Sequence, residues 1–114
     1  MFKAGFVIIM AMLAAKADPQ DMARKAFNNC LVGEHNKAVE AKSSPSAFNK
    51  AIQDACPAER SAYHDIIAKN ERGFGSSAKE ADEYANGETQ SVVDSVTSAY
   101  GSNLESGAKL VEEK

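Results

Sequence analysis

The chain reads as all-α, a disulfide-stapled antiparallel helical hairpin plus a third helix that together make a small three-helix bundle. Three observations predict it. Apolar residues recur at three- and four-residue steps from Met22 to Tyr100, with no alternating run that would mark a strand. Helix-start signals stand at Asp18-Pro19, Ser44-Pro45 and Ser77-Ala78-Lys79-Glu80. The only two cysteines, Cys30 and Cys56, fall where such a hairpin brings its arms together.

The first element is an export signal over residues 1–17. Lys3 supplies a positive start, Ala4 to Ala15 is an apolar run, and Ala15-Lys16-Ala17 is a small-x-small cleavage site. Twelve residues of helix span only about 18 Å, short of the roughly 30 Å hydrocarbon core, so the run suits a cleaved signal better than an anchor. Cleavage after Ala17 predicts a periplasmic or secreted protein with no stable membrane span. Without that segment the chain carries 11 Lys+Arg against 16 Asp+Glu. That acidic balance argues against phosphate-neutralising binding to nucleic acid. Leu, Ile, Val and Phe then number only 15 of 97 residues, so the core must be thin.

The helical domain is expected over residues 18–100. Asp18 caps the first helix, Pro19 takes its first position, and Met22, Ala23, Phe27, Cys30, Leu31, Ala38 and Ala41 form its stripe. Ser43-Ser44-Pro45-Ser46 breaks the chain and restarts it. Around that turn, antiparallel partners have numbers that sum to roughly 87, which sets Cys30 opposite Cys56, Leu31 near Ile52, and Ala38 near Phe48. An even cysteine pair in an exported chain reads as a disulfide, worth about 3–4 kcal/mol in the chain-entropy model.

The stripe continues through Phe48, Ile52, Cys56, Glu59, Tyr63, Ile66 and Ile67 without a change of phase at Pro57. The expectation is one helix over about 45–71, kinked at Pro57. Ser77 and Glu80 form a capping box for the third helix, which is expected to reach about Tyr100. Its stripe is Ala81, Tyr84, Ala85, Glu88, Val92, Val96, Ala99 and Tyr100, and Gly87 within it suggests a close approach or a bend. Gly101, Ser102, Ser106 and Gly107 give residues 101–114 the look of a flexible tail.

Chemistry-bearing residues are sparse. His35 and His64 read as surface or boundary histidines. Pairing sets His64 opposite position 23, about 18 Å of helix rise from His35 and too far to share a metal. No cofactor site, metal site or catalytic constellation emerges from the spacing. Glu59 and Glu88 lie within apolar stripes and would do acid–base work only if held together in a cleft. Thin, Ala-rich packing leaves room for an apolar groove, with Phe48, Tyr63, Tyr84 and Val92 as the expected ligand-lining residues.

The export signal, Cys30, the turn with Pro45, Cys56 followed by Glu59, and Gly73 before a last amphipathic helix resemble small secreted helical proteins of alphaproteobacterial type with one cysteine pair. The resemblance implies a disulfide-stapled helical fold and an envelope address, and it transfers no catalytic residue. The functional expectation is a non-enzymatic protein-interaction module whose partner is an envelope or extracellular protein. The alternative is a carrier of small apolar ligands. A third reading, a small hydrolase or metal enzyme, requires Glu59, Glu88 or His64 to converge.

Overall fold

The computed structural model describes residues 18–114; the expected export signal over residues 1–17, with its expected cleavage after Ala17, lies outside the described residues. Five helices follow one another: α1 (Pro19–Ala41), α2 (Pro45–Ile52), α3 (Pro57–Gly73), α4 (Ala78–Thr97) and α5 (Tyr100–Ser106). Among the described residues there is no strand, and no helix is long and apolar enough to cross a membrane. Helices α1, α3 and α4 pack against one another as a three-helix bundle, while α2 and α5 are short and pack on α1.

The predicted caps are present. Asp18 accepts a hydrogen bond from the Gln20 amide, and Ser44 Oγ accepts one from Ala47, each ahead of a proline that needs no partner for its nitrogen. At the start of α4 the Ser77 hydroxyl accepts from the Glu80 amide at 3.1 Å, while the Ser77 amide donates to the Glu80 carboxylate at 3.0 Å. These hydrogen bonds hold the Glu80 carboxyl below its ordinary pKa. Helix α1 stops at Lys42, which turns left-handed (φ 56°) and lets Ser43 donate to the Ala38 carbonyl.

The second arm of the hairpin departs from expectation: residues 45–71 do not make one kinked helix. Helix α2 ends at Ile52, its last turn tightened by bonds from Asp54 to Ala51 and from Ala55 to Ile52, and Cys56 lies left-handed at φ 55°. Pro57 then opens α3. A residue before proline is disfavoured in the helical region, so Cys56 leaves it and the chain breaks there. The break spans about one 3.6-residue turn, which is why the apolar phase survives it.

Cys30 and Cys56 form the expected disulfide, with Cα atoms 6.2 Å apart. It ties the middle of α1 to the joint between α2 and α3. Around it lies one core containing Phe27, Leu31, Ile52, Tyr63, Ile67, Ala85, Val93 and Val96. Each fully buried large apolar side chain contributes about 1.5–3 kcal/mol.

The third helix also ends early. Helix α4 stops at Thr97, and Ala99 (φ −104°, ψ 4°) turns the chain into α5. The turn swings Tyr100 inward, where its ring stacks on Phe48 (centroids 4.0 Å apart) and its hydroxyl donates to the Ser43 carbonyl at 2.7 Å. The buried stripe of α4 is Ala81, Ala85, Thr89, Val93 and Val96, rotated slightly from the expected one. Tyr84 is therefore half exposed and Glu88 lies at the edge, where its carboxylate accepts from the Tyr84 hydroxyl. A Cβ on Gly87 would meet nothing within 4 Å, so no close approach explains that glycine.

The segment expected to be a flexible tail has a defined course. Residues through Ser106 belong to α5, Gly107 (φ 73°) closes it, and the chain then runs back along α1 in the opposite direction. Its course is set by side chains of α1 rather than by any periodicity of its own, which is why the tail's own pattern did not show it.

Candidate functional site

The outer face of α1 carries a polar ladder. Asn29 and Asn36 stand seven residues apart, close to two full turns, so both amides project from one face. A carboxamide offers one acceptor and two donors, which matches the N–H and C=O of a residue in extended conformation. Asn36 accepts from the Leu110 amide at 2.9 Å and donates to the Leu110 carbonyl at 3.0 Å. Asn29 accepts from the Glu113 amide at 2.8 Å and donates to the Glu113 carbonyl at 2.9 Å. The registers agree: seven helical residues rise about 10.5 Å, and three extended residues cover about 10 Å.

Each rung is oriented from behind. The His35 ring donates from Nδ1 to Asn36 Oδ1 at 2.8 Å and accepts at Nε2 from Asn103 on α5 at 3.0 Å. Because Asn36 Nδ2 and Asn103 Nδ2 both act as donors, the Nδ1–H tautomer is the one that satisfies the network. His35 is wholly buried, edge-on to Phe48 and Tyr100, and so is not the surface or boundary histidine expected. Asn28 donates more weakly to Asn29 Oδ1 at 3.4 Å.

Charge brackets the ladder. Arg24 donates to both carboxylate oxygens of Glu113, at 2.7 and 2.8 Å, and is itself steadied by Asp21 at 3.0 Å. The Arg24 guanidinium holds the Glu113 carboxyl below its ordinary pKa, and Glu113 in turn raises that of Arg24. Lys25 donates to the Lys114 carbonyl, and Lys109 pairs with Glu40 at the far end. Between the clamped residues, Val111 is 86% exposed, so the face reads the backbone and three side chains, Lys109, Leu110 and Glu113.

The residues singled out in the sequence are dispersed. Phe48 lines an open groove of about 370 Å³ between α1 and α2, together with Ala38, Ala41, Ala47, Ala51 and Ile52. Of the four expected ligand-lining residues it is the only one there. Tyr63 is buried beside Phe27 with centroids 6.5 Å apart, Tyr84 is half exposed, and Val92 packs at the margin of the core. Glu59 lies against the disulfide, Glu88 beside Tyr84, and His64 between Asp65 (3.0 Å) and Asp82 (2.9 Å), three different surroundings. Cys30, Cys56 and Glu59 are the group among the described residues with metal-ligand proximity, but both sulfurs are consumed in the disulfide.

Sequence reasoning passed over Asn29, Asn36 and Arg24. The available signal was two asparagines at a seven-residue interval inside a helix, where this residue type is disfavoured without a partner. Comparison with protein-family models, with curated proteins and with solved structures found no match to the chain.

Proposed function

We propose that this is an exported protein-interaction module of the cell envelope, without enzymatic activity, whose working surface is the outer face of α1. The observation that carries the reading is the Asn29–Asn36 ladder: two preoriented amides that satisfy paired backbone groups of an extended chain. Hydrogen-bonding an extended main chain is a recognised mode of peptide recognition. The disulfide supports an oxidising compartment. The envelope address further agrees with the resemblance to small secreted helical proteins of alphaproteobacterial type.

Two measurements test it. Mass spectrometry of the protein exported by its own signal should give a chain starting at Asp18, two hydrogens lighter than its reduced form. A chain starting at Met1 with free thiols removes the envelope reading. For the interaction, a photo-crosslinker at Lys37, which follows Asn36 in the chain and is 78% exposed at the rim of the α1–α2 groove, should yield specific adducts in envelope extract. Those adducts should disappear when Asn29 and Asn36 are both changed to Ala. Adducts indifferent to that change place the interaction elsewhere.

The groove between α1 and α2 favours a second reading, a carrier of small apolar ligands, because about 370 Å³ falls within the usual range of ligand sites. Excess non-protein mass in a native spectrum, lost on Ala47→Trp, would bring that reading forward.

A further inference from the structure

Resting on the interaction reading, we infer that the face of α1 from Arg24 to Glu40 is a docking site for an extended partner segment of pattern apolar-x-x-acidic, and that residues 107–114 are its built-in competitor. The native tail is the template for that pattern. Leu110 packs its half-buried side chain against the core, and Glu113 sits on Arg24 with two hydrogen bonds. Apart from the exposed ion pair of Lys109 with Glu40, everything else the face recognises is main chain, supplied equally well by another protein's extended segment.

Three features separate a detachable strap from a structural tail. The recognising groups are held without it: His35 is fixed by Asn103 and aromatic rings, and Arg24 by Asp21, so the face persists when the strap leaves. The strap hangs from Gly107, left-handed at φ 73°, where an added Cβ would meet nothing within 4 Å. Residues 107–109, Val111, Glu112 and Lys114 are exposed, so little apolar surface resists departure. The charge also fits, since Arg24 and Lys25 meet the acidic end of the segment. Tethering gives the strap an effective concentration of about millimolar, so a partner must outcompete it or act after it has been displaced.

The test keeps the full chain and disables only the strap. Leu110→Pro with Glu113→Pro removes both N–H groups that the ladder accepts. The probe is a fluorescent peptide of the native sequence Gly107–Lys114. The double-proline chain should bind it at least tenfold more tightly than the unaltered chain does. Adding Asn29→Ala and Asn36→Ala should abolish binding, and a Glu113→Lys peptide should bind about tenfold more weakly. A folded double-proline chain that ignores the peptide overturns the inference, as does binding that survives loss of both asparagines. Failure of the double-proline chain to fold also overturns it, because a detachable strap is not needed for the bundle. Dimerisation of the unaltered chain by tail exchange would replace the partner segment with a second copy. If the peptide fails while Lys37 adducts persist, the apolar-x-x-acidic pattern falls and the interaction reading stands; peptide binding without any adduct has the opposite meaning.

Discussion

Helix α1 has two faces that hold their neighbours by opposite means. The inner face presents Phe27, Leu31 and Val39, closes against α3 and α4, and is stapled to the α2–α3 joint by the disulfide. The outer face presents Arg24, Asn29, Asn36 and Glu40 and holds an extended strap through hydrogen bonds and ion pairs. Burial on the inner face is shared by many side chains at once, so losing one weakens all. On the outer face each bond exchanges with water, and its net worth is only about 0.5–1.5 kcal/mol. One helix thus separates a cooperative interface from a locally releasable one.

The sharpest break falls on the inner face. Phe27→Ala should cost about 3–5 kcal/mol in urea unfolding, since the ring is fully buried beside Tyr63 and beneath the Arg60 guanidinium, 5.6 Å from its centroid. Reduction of Cys30–Cys56, or Cys30→Ser with Cys56→Ser, should lower stability by about 3–4 kcal/mol in the same experiment. A loss below about 1 kcal/mol in either case would mean that the inner face is not the cooperative one.

On the outer face, Asn29→Ala removes two hydrogen bonds to the strap and should move global unfolding by about 1–3 kcal/mol. Amide exchange at Glu113 should meanwhile accelerate at least tenfold, and exchange at Phe27 and Leu31 should stay near the native rate once corrected for global stability. Equal acceleration at all three would merge the two faces into one cooperative unit.

The smallest effect is a pH dependence between α3 and α4. Asp65 and then Asp82 hold the His64 imidazolium and raise its pKa above the ordinary 6.5, against a lesser opposing effect of desolvation. A raised folded-state value contributes stability that is complete below pH 6.5 and is lost as pH climbs through the raised pKa. His64→Gln should therefore cost more at pH 5.5 than at pH 8.5, by up to about 1 kcal/mol because both aspartates are exposed. A larger cost at pH 8.5 would reverse the assignment.

Much of the inner face was legible in the sequence and almost none of the outer one. Capping signals at Asp18, Ser44 and Ser77 are local chemistry, so they can be read from a few neighbouring residues, and the cysteine pairing followed from hairpin spacing. The break at Cys56 was hidden because a gap of about one turn leaves periodicity intact. Met22 and Tyr84 were placed with the buried residues by period alone, yet they are 57% and 50% exposed, at the edge of the stripe. The ladder was hidden for a different reason. Its partners, Leu110 and Glu113, are 74 and 84 positions away from Asn36 and Asn29, and an extended strap carries no periodic signal. The four residues expected to line a ligand pocket failed to gather because they join different neighbours: Phe48 stacks on Tyr100, Tyr63 packs beside Phe27, Val92 lies at the core margin, and Tyr84 stands at the exposed edge of its stripe.

A face that reads main chain imposes an uneven rule on sequence drift. Val111 and Glu112 can be exchanged for almost any residue while the strap still seats, whereas a proline at 110 or 113 is excluded. Asn29 and Asn36 have no such latitude: aspartate lacks the donor, leucine lacks both groups, and glutamine is a methylene too long for the register. Across variants of this chain, the recognising helix is therefore the part that must stay still, and the strap it recognises is free to wander.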